Sequence, residues 1–123
     1  MKLILYIACV SVFVAPTSCV YRFGLYLNQT YVNAIEGAIN KWSIYQQVPN
    51  FEINPVKIDG FGRIQAYVYY LYNNKIYIDL DEYESWSLQK FQLIIMHEIG
   101  HLLGYSHSND KNSIMYTYYI GPP

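Results

Sequence analysis

His97, His101 and His107 are the three histidines of a 123-residue chain, and all of them fall in one eleven-residue window. It reads His97-Glu98-Ile99-Gly100-His101-Leu102-Leu103-Gly104-Tyr105-Ser106-His107. Helical residues four apart share a face at about 5–6 Å, so His97 and His101 direct their ring nitrogens at one point. Gly104 suits the left-handed residue just past a helix end, and a turn there brings His107 back toward the same point. Three neutral imidazoles leave the fourth position of a tetrahedral zinc open, as catalytic sites do and structural sites do not. Glu98 follows the first histidine, so its carboxylate reaches toward the open position rather than the ion. The competing reading is two helix-face histidines and an unrelated surface His107.

That helix extends upstream. Leu88, Phe91, Ile95, Ile99 and Leu102 keep helical spacing, and Ser85 or Ser87 can cap the start. A first amphipathic helix is expected over about Tyr31–Tyr45, with Val32, Ile35, Ile39 and Trp42 on its apolar face. Strand-like alternation marks Tyr21–Leu27, Phe51–Ile53, Ile64–Tyr72 and Lys75–Leu80. The last two of these, joined at Asn73-Asn74, read as a hairpin. Asn28-Gln29-Thr30 is a glycosylation sequon, of consequence only in a eukaryotic secretory pathway.

The N-terminus has a different character. Met1-Lys2 precedes an uncharged apolar run from Leu3 to Val14, and Pro16-Thr17-Ser18-Cys19 follows. That order predicts a signal peptide over residues 1–19, hence secretion, with a buried N-terminal strand as the alternative. The run is shorter than the roughly 20 residues a membrane span needs. Removing it leaves residues 20–123 as one domain with no cysteine pair, because Cys9 and Cys19 both lie in the leader. With 8 basic and 9 acidic residues, the chain has no excess positive charge with which to bind nucleic acid.

The histidine window resembles the extended zinc motif of the metzincin metalloproteases. Ser113-Ile114-Met115-Tyr116 resembles their Met-turn, and the segment from His107 to Tyr116 is similar to that of the matrix metalloproteinases, or matrixins. Asp59–Tyr67 looks like the matrixin turn into the upper edge strand, and Lys75–Asp79 like the last strand before the active-site helix. The resemblance implies an α+β, zincin/metzincin-like fold: a small twisted, mostly parallel sheet with an antiparallel edge strand, one backing helix and one active-site helix. It implies a minimal catalytic domain over residues 20–123 and a secreted, monomeric zinc endopeptidase acting on protein or peptide substrates. His97, His101 and His107 would hold one zinc, Glu98 would be the general base, and Met115 an apolar floor. Gln65 and Ala66 would bind substrate backbone, while Tyr116, Tyr118 and Tyr119 would line the primary pocket.

The departures from the family matter as well. Matrixin strands carry structural-zinc histidines where this chain has Tyr67 and Tyr77, so a second zinc is not expected. Asp59, Asp79 and Glu82 match calcium-holding positions, against the alternative of a solvated acidic turn. The family's wall segment reads Pro-x-Tyr, and here Thr117 replaces the proline while Tyr119 matches. With the leader directly before the domain, no propeptide is expected, and most of the family's last helix is expected to be missing. For Met115 and the tyrosines, ordinary core is an equal reading. Fifteen tyrosines also suit a different protein, a zinc-stabilised binding module without turnover.

Overall fold

The computed structural model describes residues 5–9, 19–23, 29–58, 64–71, 75–81 and 86–121. In chain order its elements are strands β1 (Leu5–Cys9) and β2 (Cys19–Phe23), helix α1 (Gln29–Ser43), strands β3 (Glu52–Val56), β4 (Ala66–Tyr70) and β5 (Ile76–Asp81), and helix α2 (Leu88–Leu102). They fall into two compact units. The strands lie within residues 1–28 and 49–84, and the helices within 29–48 and 85–123.

In the strand unit, β1 and β2 pair antiparallel from Leu5↔Phe23 to Cys9↔Cys19. β1 lies within residues 1–19, the expected leader. The other three strands form a sheet in the order β3-β5-β4. β5 runs parallel to β3 and antiparallel to β4. The sheet is thus mixed rather than mostly parallel among the described residues. The physical reason is sequence proximity: β4 and β5 are near neighbours in the chain, and a short connection can only return antiparallel. β4 is the expected antiparallel edge strand.

Alternation sorts the side chains of this sheet. Ile53 in β3 and Ile78 and Leu80 in β5 are buried, forming an apolar face. The other face carries Glu52 and Asn54, Tyr67 and Tyr69, and Tyr77 and Asp79, whose register places Tyr67 opposite Asp79 and Tyr69 opposite Tyr77. The rings of Tyr69 and Tyr77 stack 5.1 Å apart. Tyr67 hydrogen-bonds Asp79, and burial pushes the Asp79 carboxyl up from its ordinary range.

In the helical unit, α1 buries Val32, Ala34, Ile35, Ala38 and Trp42, and α2 buries Phe91, Ile94, Ile95, Ile99 and Leu102. α1 starts two residues before the expected Tyr31. Leu88, expected on the apolar face of α2, is its first residue and is exposed. The two helices are pinned at several levels. Tyr31 meets Phe91 edge-on at 4.9 Å, and Trp42 Nε1 donates to the Met96 carbonyl at 2.9 Å. Ser87 caps α2 by accepting from the Lys90 amide at 3.2 Å, which settles the choice between the two serines. No helix of the described residues is long and apolar enough to cross a membrane.

Candidate metal centre

The end of α2 is shaped by its glycines. Gly104 has φ +96°, and the amides around it close a Schellman turn. Tyr105 N donates to Gly100 O and Gly104 N to His101 O, both at 2.9 Å. Only a residue without a Cβ adopts that φ cheaply, so the reversal expected from the sequence is present. Gly100 has a different task. A Cβ there would clash with the Met115 sulfur and lie 3.0 Å from Trp42 Cζ2. Its bare backbone lets Met115 and Trp42 close onto the helix between the first two histidines. Met115 is buried.

Beyond the turn, the chain bonds to itself. Asp110 N donates to Ser108 Oγ at 3.0 Å, Asn112 N to Asp110 Oδ1 at 2.9 Å, and Met115 N to Ser113 Oγ at 3.1 Å. Ser108 N then donates to the Met115 carbonyl at 2.7 Å. These short-range bonds are the kind Ser, Asp and Asn favour in turns. The last of them fixes the residue that immediately follows His107.

The three histidines converge. His101 Nε2 lies 3.0 Å from His97 Nε2 and 3.0 Å from His107 Nε2. The outer nitrogens of two of the rings are occupied: His97 Nδ1 is 2.8 Å from Ile114 O, and His101 Nδ1 is 2.9 Å from Tyr105 O. A carbonyl can only accept, so each Nδ1 carries the proton and each Nε2 presents a lone pair. Lone pairs held this close repel one another unless a cation lies among them. Tetrahedral zinc with bonds of about 2.0–2.1 Å would set such nitrogens about 3.3 Å apart, so the donor set fits the ion. Burial, joined by the neighbouring imidazoles, lowers the pKa of His97. Burial and His101 do the same for His107, and both shifts favour the neutral form a ligand needs. Among the described residues, this is the cluster of acidic, histidine or cysteine side chains able to hold a metal.

Glu98 is buried, and its Oε2 has no hydrogen-bond partner. Burial pushes its carboxyl up to about 7. An orphaned, buried carboxylate beside a metal ligand is costly to keep, which makes it a candidate for chemistry rather than structure.

The remaining expected residues are more scattered. Tyr116 and Tyr119 are half-buried and Tyr118 is exposed, with the rings of Tyr116 and Tyr118 5.9 Å apart. Gln65 and Ala66 lie in the strand unit, where the Gln65 carbonyl accepts from Asp81 N at 2.9 Å. Of the calcium positions, Asp59 and Glu82 lie outside the described residues. Asp79 is buried beside Tyr67 and Asn54 Nδ2, the latter at 3.5 Å. Sequence reasoning did not anticipate the two carbonyl locks, the close approach at Gly100 or the pinning role of Trp42. Gly100 itself, standing inside a good helical pattern, was the signal available.

Two histidines on one helix and a third delivered past a glycine turn form a metzincin-type arrangement that could hold a metal ion. The chain belongs to the matrixin family. The family model for matrixin (peptidase M10) matches residues 45–122, a span that includes all three histidines and the turn at Met115. It is 30% identical to Metalloendoproteinase 1 of Glycine max, over 73% of this chain and 39% of that protein. It is 31% identical to Matrix metalloproteinase-26 of Homo sapiens, over 74% of this chain and 44% of that protein. Karilysin of Tannerella forsythia is 32% identical over 72% of this chain and 24% of its own length. The chain spans less than half the length of each of these relatives. Matrixins are zinc metalloendopeptidases.

Proposed function

We propose that this chain is a secreted zinc endopeptidase that hydrolyses peptide bonds in extended protein substrates, with Glu98 as general base. The observation that carries the reading is the convergence of three Nε2 atoms, two of them on rings whose Nδ1 faces a carbonyl, with a buried, unpartnered carboxyl on the residue after His97. His97, His101 and His107 hold the ion. Zinc, when bound, would polarise the scissile carbonyl and lower the pKa of water to about 7. Glu98, whose carboxyl burial tunes to about 7, takes a proton from the attacking water and returns it to the leaving amine. Met115 closes the apolar floor.

An extended peptide adds to β4 around Gln65 and Ala66, with backbone hydrogen bonds giving a sequence-tolerant grip. The position of β4 at a sheet edge supports this. Tyr116, Tyr118 and Tyr119 line the primary pocket. Residues 1–19 serve as the signal peptide, and residues 20–123 act as a monomeric catalytic domain.

The test is cleavage of quenched peptides and casein by the zinc-loaded chain and by Glu98→Ala. The expected result is turnover by the wild type, and a variant that binds zinc without turnover. Equal inertness of both, with zinc bound, overturns the reading in favour of a zinc-stabilised binding module. The exposure of Tyr118, at 70%, suits such a module.

A further inference from the structure

Lys90 is in an unfavourable place for a lysine. It is the third residue of α2, where the helix dipole disfavours positive charge. The serine cap at Ser87 would pair best with Glu or Gln at that position. Its side chain is nevertheless buried, with 6% exposure, although lysines are almost never buried without partners.

Two aromatic rings flank its ammonium. Lys90 Nζ lies 5.3 Å from the centroid of Trp86 and 5.8 Å from that of Tyr119, both within cation–π range. Trp86 is held firmly: its carbonyl accepts from the Tyr31 hydroxyl at 3.4 Å, and its ring meets the fully buried Phe91 edge-on at 6.2 Å. Tyr119, by contrast, belongs to the irregular segment that follows Met115. One turn along α2 from Lys90, Leu93 touches the same segment. A Cβ on Gly121 would come within 2.7 Å of Leu93 Cδ1 and 2.8 Å of the Tyr119 hydroxyl. The segment is therefore drawn onto one face of α2 at two successive points.

We propose that Lys90 is a positioning residue for substrate. Its cation ties the Tyr116–Tyr119 wall to the first turn of α2 and sets the shape of the primary pocket. It acts through Tyr119 and leaves the metal ligands, two turns further along the helix, untouched. The pocket role rests on the endopeptidase reading above, whereas the tether itself does not.

Hydrogen exchange separates the two. In the full chain, Lys90→Met removes the charge but keeps the length, and Lys90→Arg restores a cation. Exchange of the amides of residues 117–121 is expected to rise about tenfold in Lys90→Met and to stay near wild type in Lys90→Arg. Tyr119→Leu, which removes the ring from the other side, is expected to match Lys90→Met, and combining the two to add nothing further. For peptide cleavage, KM rises about tenfold in Lys90→Met while kcat and zinc affinity hold. If Lys90→Met fails to fold, Tyr119→Leu reads the same exchange. Wild-type exchange at residues 117–121 in the folded variants, or an arginine variant as loosened as the methionine one, overturns the tether. A faithful tether with KM unchanged overturns the pocket role. An inert, zinc-loaded wild type would count against the endopeptidase reading, and the exchange result would still decide the tether.

Discussion

His97 Nδ1 lies 2.8 Å from the carbonyl oxygen of Ile114, so the residue preceding Met115 orients the first of the three clustered histidines. A turn seventeen residues away in sequence thereby sets the tautomer and the aim of a ring on α2. Such outer partners tune metal affinity because they fix ligand direction and basicity.

The turn's own support is open to test. Ser113 Oγ accepts from the Met115 amide at 3.1 Å. Ser113→Ala removes that bond, worth about 1 kcal/mol. Zinc affinity, measured by competition with a chelator, is expected to fall about fivefold, the equivalent of that energy. An unchanged affinity would separate the turn from the metal.

Gly100 is the tightest point of the helical unit. Gly100→Ala places a Cβ against the Met115 sulfur and the Trp42 ring. Overpacking of this kind costs about 1–3 kcal/mol. Denaturant titration is expected to show that loss, and Met115→Ala in the same chain to recover part of it, since the sulfur is the nearest obstacle. Loss of the same size with and without Met115 would assign the strain to Trp42.

The parts of the structure legible in the sequence are those governed by local rules. Ser87 announces the start of α2, Gly104 its end, and the His97–His101 spacing its metal-facing side, because capping, left-handed φ and helical period act within a few residues. The hairpin of β4 and β5 was legible for the same reason. The parallel pairing of β3 with β5 was not, because it joins residues about 25 apart in the chain, as Asn54 and Asp79 are. Lys90 was equally opaque: in sequence it is an ordinary polar helix residue, and its place beside the Trp86 and Tyr119 rings emerges only in the fold. Gly100 shows its role only in the fold, where Met115 and Trp42 close against it.

Gly104→Ala forces a Cβ into φ +96° and is expected to cost about 1–2 kcal/mol. The same change disturbs the Tyr105 carbonyl that holds His101 Nδ1. Thermal unfolding with and without zinc is expected to show a larger loss with zinc than without. Equal losses would mean that the turn serves the helix alone.

Glu98 gives the zinc-free chain a pH signature. Burial raises its carboxyl from 4.5 to about 7, so the native state holds a proton that the unfolded chain has lost. The stability this contributes is fully present below about 4.5 and is lost as pH rises through about 7. Relative to Glu98→Gln, the wild type is expected to lose up to about 3 kcal/mol between those values. Taking the difference between the two proteins removes the opposite trend from His97 and His107, whose pKa values burial lowers. A flat difference in unfolding free energy across pH 4.5 to about 7 would show that the carboxyl is solvated.

X-ray absorption at the zinc edge tests the metal centre most directly. One zinc per chain is expected, with three imidazole nitrogens at about 2.0–2.1 Å and one non-protein oxygen ligand, and with the imidazole count falling in His107→Ala. A zinc with four protein ligands, or one whose imidazole shell survives the loss of His107, would contradict an open three-histidine site.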